Sequence, residues 1–188
     1  MRIFLAILAL SWVVTGAAQV TMRDVLRQLP DTLVPYLKEN ARLDFIDFIE
    51  SNMKAEVSNI LEGKSELTKL TDHYAMLSLT QTSKLEMRLL DTTEEVDSAH
   101  QLLCIVRSYG TDICESVVDF YSLRWNKLPT ADRVSLPEEM FLATLGEQEA
   151  TLSIRPQCRI DAPAIEGQEE LVKSSIILKW NGKTFNKY

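Results

Sequence analysis

Three carboxylates, Asp44, Asp47 and Glu50, fall within the twelve residues RLDFIDFIESNM, Arg42 to Met53. Acids at three-residue spacing share one face of a helix, so the stripe is either a metal or acid/base site or the wet edge of a core helix. A di-carboxylate metal site wants a histidine or a second acidic helix facing it, as in an inward Glu-x-x-His arrangement, and the sequence offers no such partner. Leu43, Ile46, Ile49 and Met53, with Phe45 and Phe48, cover a wide apolar arc, while Asp44, Asp47, Ser51 and Lys54 line one polar stripe. The acids are therefore expected at the solvated edge of a core helix.

Other chemistries have few residues to draw on. With only His73 and His100 in the chain, a His-rich zinc site has no ligands and a Ser-His-Asp triad would rest on one of two residues. No G-x-S-x-G elbow presents a nucleophile. The six glycines are scattered without a G-x-G phosphate loop. His100 precedes Cys104 by four residues, about 13 Å along a strand and too far for proton transfer. The acidic stretches DTTEEVDS (Asp91, Glu94, Glu95, Asp97) and EGQEE (Glu166, Glu169, Glu170) lack the order of an EF-hand loop and read as solvated loops. Paired carboxylates in a cleft would suit a glycosidase, but spacing in sequence does not place two acids together. No catalytic residue, cofactor site or metal site is expected.

The remaining candidates are aromatic and apolar. Tyr121, Trp125 and Trp180 end strands near loops, and Met140, Phe141 and Leu142 form an apolar run inside the polar connection LPEEMFLATL. These six are the candidate recognition residues. Core or edge packing is the first expectation for the large rings; exposed together, they would form a peptide or glycan groove. The run at Met140 to Leu142 either folds back on the core or waits for a partner, and folding back is expected because free hydrophobes invite aggregation.

The elements that must position these residues divide the chain into a helical first third and a strand-rich remainder. TMRDVLRQL opens with Thr21 and Asp24 in a capping-box arrangement and ends at Pro30. DTLVPYLKEN predicts a short helix or helical turn. Asn40 is expected to cap a longer helix from Ala41 through Met53, extending to Leu61 with Gly63 as its stop. From Lys64 the period becomes that of strands: YAMLSLT and KLEMRLL alternate as half-buried strands joined by a short polar turn, and QLLCIVRSY, apolar on both faces, should be central. ESVVDFYSLRW, TLSIRP and SSIILKW follow, and Asn181-Gly182 is a strong hairpin signal. Asn126 to Ala150 and Gln157 to Leu171 read as long loops. The fold expected is α+β: N-terminal helices packed on a mostly antiparallel sheet of six or seven strands, in a single domain over residues 19–188.

The leader MRIFLAILALSWVVTGAAQ has one positive charge, an apolar run and small residues before the expected cleavage, so residues 1–18 read as a signal peptide. No later segment is long enough to span a membrane. Export would let thiols pair, and among Cys104, Cys114 and Cys158 a cross-strand bridge from Cys104 to Cys114 is geometrically open, with three free, largely buried thiols the alternative. The net charge of −7 and the absence of a basic run among 20 Lys and Arg residues argue against nucleic acid.

Together, RLDFIDFIESNMKAEV, GKSELTKLTDHYAMLSL, LEMRLL, DFYSLRW and SSIILKWNGK resemble an uncharacterised family of secreted Bacteroidota proteins, a domain of unknown function, over about Thr21 to Lys183. The resemblance implies a Gram-negative envelope or extracellular location and supplies no activity, cofactor or site residue. The expected function is a non-enzymatic secreted or periplasmic protein that binds another macromolecule, an envelope protein or glycan. The alternatives are a carrier of a small hydrophobic ligand held between the helices and the sheet, and a carboxylate-dependent glycan or peptide hydrolase.

Overall fold

The computed structural model describes residues 19–111, 115–156 and 175–187. The expected signal peptide, Cys114, and the expected loop from Gln157 to Leu171 with its Cys158 and acidic EGQEE stretch lie outside them.

Helix α1 spans Met22–Arg27. Thr21 and Asp24 close the predicted capping box: the Thr21 N–H donates to Asp24 Oδ2 at 3.1 Å and the Asp24 N–H donates to Thr21 Oγ1. The Thr21 hydroxyl, which donates to Asp24 Oδ2 at 2.6 Å, and then the Thr21 N–H hold the Asp24 carboxyl below its usual range. Residues 31–37 make turns rather than a helix. Helix α2 spans Glu39–Glu50, starting one residue before Asn40 and stopping well short of Leu61. The chain leaves it through Ser51 and a left-handed Asn52 (φ 54°), and Gly63 instead lies in the turn between the first two strands. Phe45 and Ile46 are buried, as the apolar arc requires, but Leu43 and Met53 are 39% and 56% exposed. Asp44 and Asp47 are solvated.

Eleven strands follow among the described residues, in two antiparallel sheets. The first is a seven-stranded meander, β1 (Glu56–Ser58), β2 (Lys64–Leu70), β3 (Tyr74–Thr80), β4 (Ser83–Val96), β5 (Ala99–Tyr109), β6 (Glu115–Ser122) and β7 (Lys127–Leu128), paired in chain order. The second has four strands, β8 (Phe141–Leu145), β9 (Thr151–Pro156), β10 (Ile176–Trp180) and β11 (Phe185–Lys187). The strand pattern predicts one sheet, but TLSIRP and SSIILKW belong to the second. The supposed long loop from Asn126 to Ala150 contains β7, a 3₁₀ turn at Thr130–Asp132 and all of β8.

Alternation along the central strands sends side chains to two cores. On one face, Leu85, Met87, Leu89, Leu103 and Ile105 share a buried cluster with Met22, Val25, Leu26, Phe45 and Ile46 of the helices. On the other, Leu90, Leu102, Cys104, Val106, Val118 and Phe120 cluster with Phe141, Ala143, Leu145, Leu152, Ile154, Leu178 and Phe185 of the second sheet. Strand β5 is therefore buried on both faces, as its unbroken apolar run predicts. Strand β4 was expected to be half-buried, with Glu86 and Arg88 toward solvent; both lie under the second sheet, at 7% and 6% exposure.

Candidate functional site

Where β4, β5 and β6 meet the edge strand β8, the two sheets are joined by polar side chains. A β-edge carries N–H and C=O groups that must find partners, and here the first sheet supplies them. The Ala143 N–H donates to Ser116 Oγ at 2.9 Å, and Ser116 Oγ lies 2.7 Å from Ser108 Oγ. The Leu145 N–H donates to Glu86 Oε2 at 2.7 Å, and Tyr74 Oη donates to the same oxygen at 3.3 Å. Two positions on along β4, the Arg88 guanidinium spans the β8–β9 turn, donating to the carbonyls of Gly146, Glu147 and Gln148 at 2.6, 3.0 and 3.2 Å.

The electrostatics follow from burial. Desolvation lifts the Glu86 carboxyl above its usual range, opposed by the Leu145 and Tyr74 hydrogen bonds and the Lys84 charge. The Tyr74 hydroxyl is pushed well up by burial and by the neighbouring Glu86. Burial pulls the Arg88 guanidinium down.

Beside this seam opens a cleft of about 280 Å³. Gln81, Lys84, Glu86 and Ser108 line it from the first sheet and its hairpin, Leu142 and Thr144 from β8. Glu86 is the one carboxyl among its described lining residues. The cleft can therefore offer a cation, hydroxyls, an amide and an aliphatic surface to a ligand. Glu86, which lines the cleft, and Arg88, which holds the adjoining β8–β9 turn, escape a reading of the sequence, where both look like solvent-facing positions of an amphipathic strand. One signal was present: Leu89 and Leu90 are consecutive, so both faces of β4 carry apolar residues.

The six predicted recognition residues do not form one surface. Tyr121 is 9% exposed and packs its ring 6.1 Å from Trp125, in the cluster shared with the helices. Phe141, also 9% exposed, and Trp180 pack into the cluster on the opposite face of the first sheet. Trp180 lies 5.1 Å from Phe185 and donates its indole N–H to the Asp91 carbonyl at 2.6 Å. Met140 is 43% exposed, and Leu142 reaches the cleft wall.

His73 and His100 are exposed, and Cys104 is a buried free thiol raised by desolvation, which disfavours the reactive thiolate. Asp91 to Val96 extend β4 rather than forming a loop; Glu94 pairs with Lys183 at 2.5 Å and Asp91 accepts from Gln101. Among the described residues no three His, Cys, Asp or Glu side chains converge as metal ligands, and no described helix is long and apolar enough to cross a membrane.

Residues 14–155 match the family described as "Protein of unknown function (DUF3256)". The chain belongs to this family. Its fold is similar to that of a solved domain of an uncharacterised protein from Porphyromonas gingivalis W83, with a TM-score of 0.69 at 15% identity over 89% of this chain and 97% of that one. No curated protein matches. The family resemblance drawn from the sequence thus stands as membership of a DUF3256 family of unknown function and a fold shared with a Bacteroidota protein. The match spans both helices, the whole seven-stranded sheet and β8–β9, so the seam lies inside the family unit.

Proposed function

We propose that this DUF3256 protein is a non-enzymatic binding protein, exported to the cell envelope, that recognises another envelope macromolecule through the cleft between its two sheets. The observation that carries the reading is the cleft's lining: Gln81, Lys84 and Thr144 border about 280 Å³, and their side chains make no hydrogen bond or ion pair among the described residues. Polar groups left in solvent at the wall of a preformed concavity can bond a ligand without breaking an existing contact. Helices α1 and α2 in this reading serve as the cover of the opposite face. Glu86 favours binding over hydrolysis, because its carboxyl is committed to holding β8 through the Leu145 N–H. A glycosidase would need a second acid about 5–10 Å away, free to act.

The carrier reading has one observation of its own. Leu136, Ile154, Ile176, Leu178 and Phe185 line an open apolar groove of about 380 Å³ at one end of the second sheet, not between helices and sheet. Displacement of a fluorescent fatty acid from the wild-type protein but not from Ile176→Asp, at a partly buried groove position, would favour that role.

The test of the main reading is crosslinking capture from native envelope with wild type, Lys84→Glu and Asp44→Lys. Loss of a specific crosslinked species with Lys84→Glu, while Asp44→Lys retains it, is the expected outcome. Equal capture by all three would place recognition elsewhere.

A further inference from the structure

Glu86 is a buried acid at a joint between two sheets, paired in register with Met76 of β3 and set among polar and titratable groups from several elements. From β3 comes the Tyr74 hydroxyl; from its own strand, Lys84 and Arg88; from β5, its register partner Val106, Ser108 and the Cys104 thiol, whose ionisation Glu86 opposes; from β8, the Leu145 N–H; and from the β8–β9 turn, Glu147, which acts on Tyr74. Both hydrogen bonds to Glu86 fall on Oε2 and come from neutral donors. The one cation felt by the carboxylate is Lys84, itself exposed.

We propose that Glu86 is a proton-operated latch: the neutral carboxyl fastens β8 to β4, and ionisation weakens that fastening and loosens the wall of the cleft. The reason is a difference in what each form loses on burial. A neutral carboxyl keeps an acceptor for the Leu145 N–H and leaves little charge to hydrate. A carboxylate held at 7% exposure beneath the second sheet, with only the cleft side open to water, forfeits hydration that two neutral donors replace only in part. Separating β8 from β4 would return water to the charge, so ionisation shifts the opening equilibrium toward the open side. The direction agrees with the raised titration of Glu86. A group whose folded-state value is raised contributes stability that is fully present below its ordinary value of 4.5 and lost as pH rises through the folded one. Ser116 and Arg88 hold β8 and its turn independently of this proton, so the strand loosens without detaching. The latch belongs to the fold and does not depend on the recognition role.

Amide hydrogen exchange tests it without any ligand. Protection factors at Leu145 and Ala143 are measured from about pH 4 to pH 8 in wild type, Glu86→Gln and Ser116→Ala, beside a carbon-13 titration of the Glu86 carboxyl. In wild type, Leu145 protection should fall severalfold with the same midpoint as that carboxyl. Glu86→Gln, which keeps an acceptor and cannot ionise, should hold its protection flat. Ser116→Ala should lower Ala143 protection by the same factor at every pH. A pH-independent wild type, or a Glu86→Gln profile parallel to wild type, would overturn the latch. Should Glu86→Gln not fold, Tyr74→Phe decides: it removes a hydrogen bond that favours the carboxylate, so both midpoints must rise together, and an exchange midpoint that stays behind refutes the proposal.

Discussion

Replacing Arg88 by alanine is expected to destabilise the protein by about 2–4 kcal/mol. The guanidinium donates to three consecutive backbone carbonyls in the β8–β9 turn, and each hydrogen bond involving a charged group is worth about 1.5–3 kcal/mol when its partner stays dry. The sum overstates the loss for two reasons. Gly146 and Glu147 are half-buried and Gln148 is exposed, so water can replace much of what the carbonyls lose. The guanidinium is itself desolvated, and its Nε has no partner, so removing it relieves a penalty. Arg88→Met, which keeps the apolar stem, should lose less, about 1–3 kcal/mol. Arg88→Lys should fall between wild type and alanine, because one ammonium does not reproduce the planar fork that spans three acceptors. Urea unfolding with an unchanged m-value is the assay. All three variants within about 0.5 kcal/mol of wild type would refute the claim that this arginine fastens the second sheet.

Three further outcomes follow from the same packing. On α2, Ile46→Ala should cost about 2–5 kcal/mol and Asp47→Ala close to nothing in chemical denaturation, and Asp47 emerging as the more sensitive would revive a buried acid site. Phe141→Ala should destabilise by about 3–5 kcal/mol, since the ring sits in the inter-sheet core rather than waiting for a partner; unchanged stability would contradict its burial. Glu56, bonded by Lys54 and Lys64, is pulled down to about 2. Its contribution is therefore present above the ordinary carboxylate value and lost as pH falls through about 2. An NMR titration should show that midpoint rising with added salt or with Lys64→Ala, as an exposed pair requires.

Local patterns carried much of the fold. The capping box at Thr21 and Asp24, the hairpin through Gln81 and Thr82, the doubly buried β5 and the turn at Asn181-Gly182 all depend on residues close in the chain, where propensity and turn chemistry act directly. What escaped depends on contacts far apart in sequence. Glu86 and Arg88 alternate with Leu85, Met87 and Leu89 as an amphipathic strand should, and only a second sheet some 60 residues on, as in the Glu86 to Leu145 hydrogen bond with its separation of 59, turns their face into an interior. The apolar residues Met53, Ile60 and Leu61 extend the pattern of α2 past its end, yet all three are more than half exposed. Arg42, on the same helix, is a charge that the helical pattern alone does not bury, yet it is 5% exposed and donates to Asp31 and to the Leu37 carbonyl. A cleft assembled from two sheets leaves no motif, because its lining residues are ordinary in each strand and acquire meaning only when the strands meet.

The most direct test of the recognition role places a photoreactive phenylalanine analogue at Thr144, in the cleft wall, and in a separate protein at Asp44, on the solvated face of α2. After illumination on native envelope, the account predicts a discrete crosslinked macromolecule from position 144, suppressed by Lys84→Glu, and none from position 44. The same crosslinks from both positions, or none from position 144 in a protein that remains folded, would contradict it.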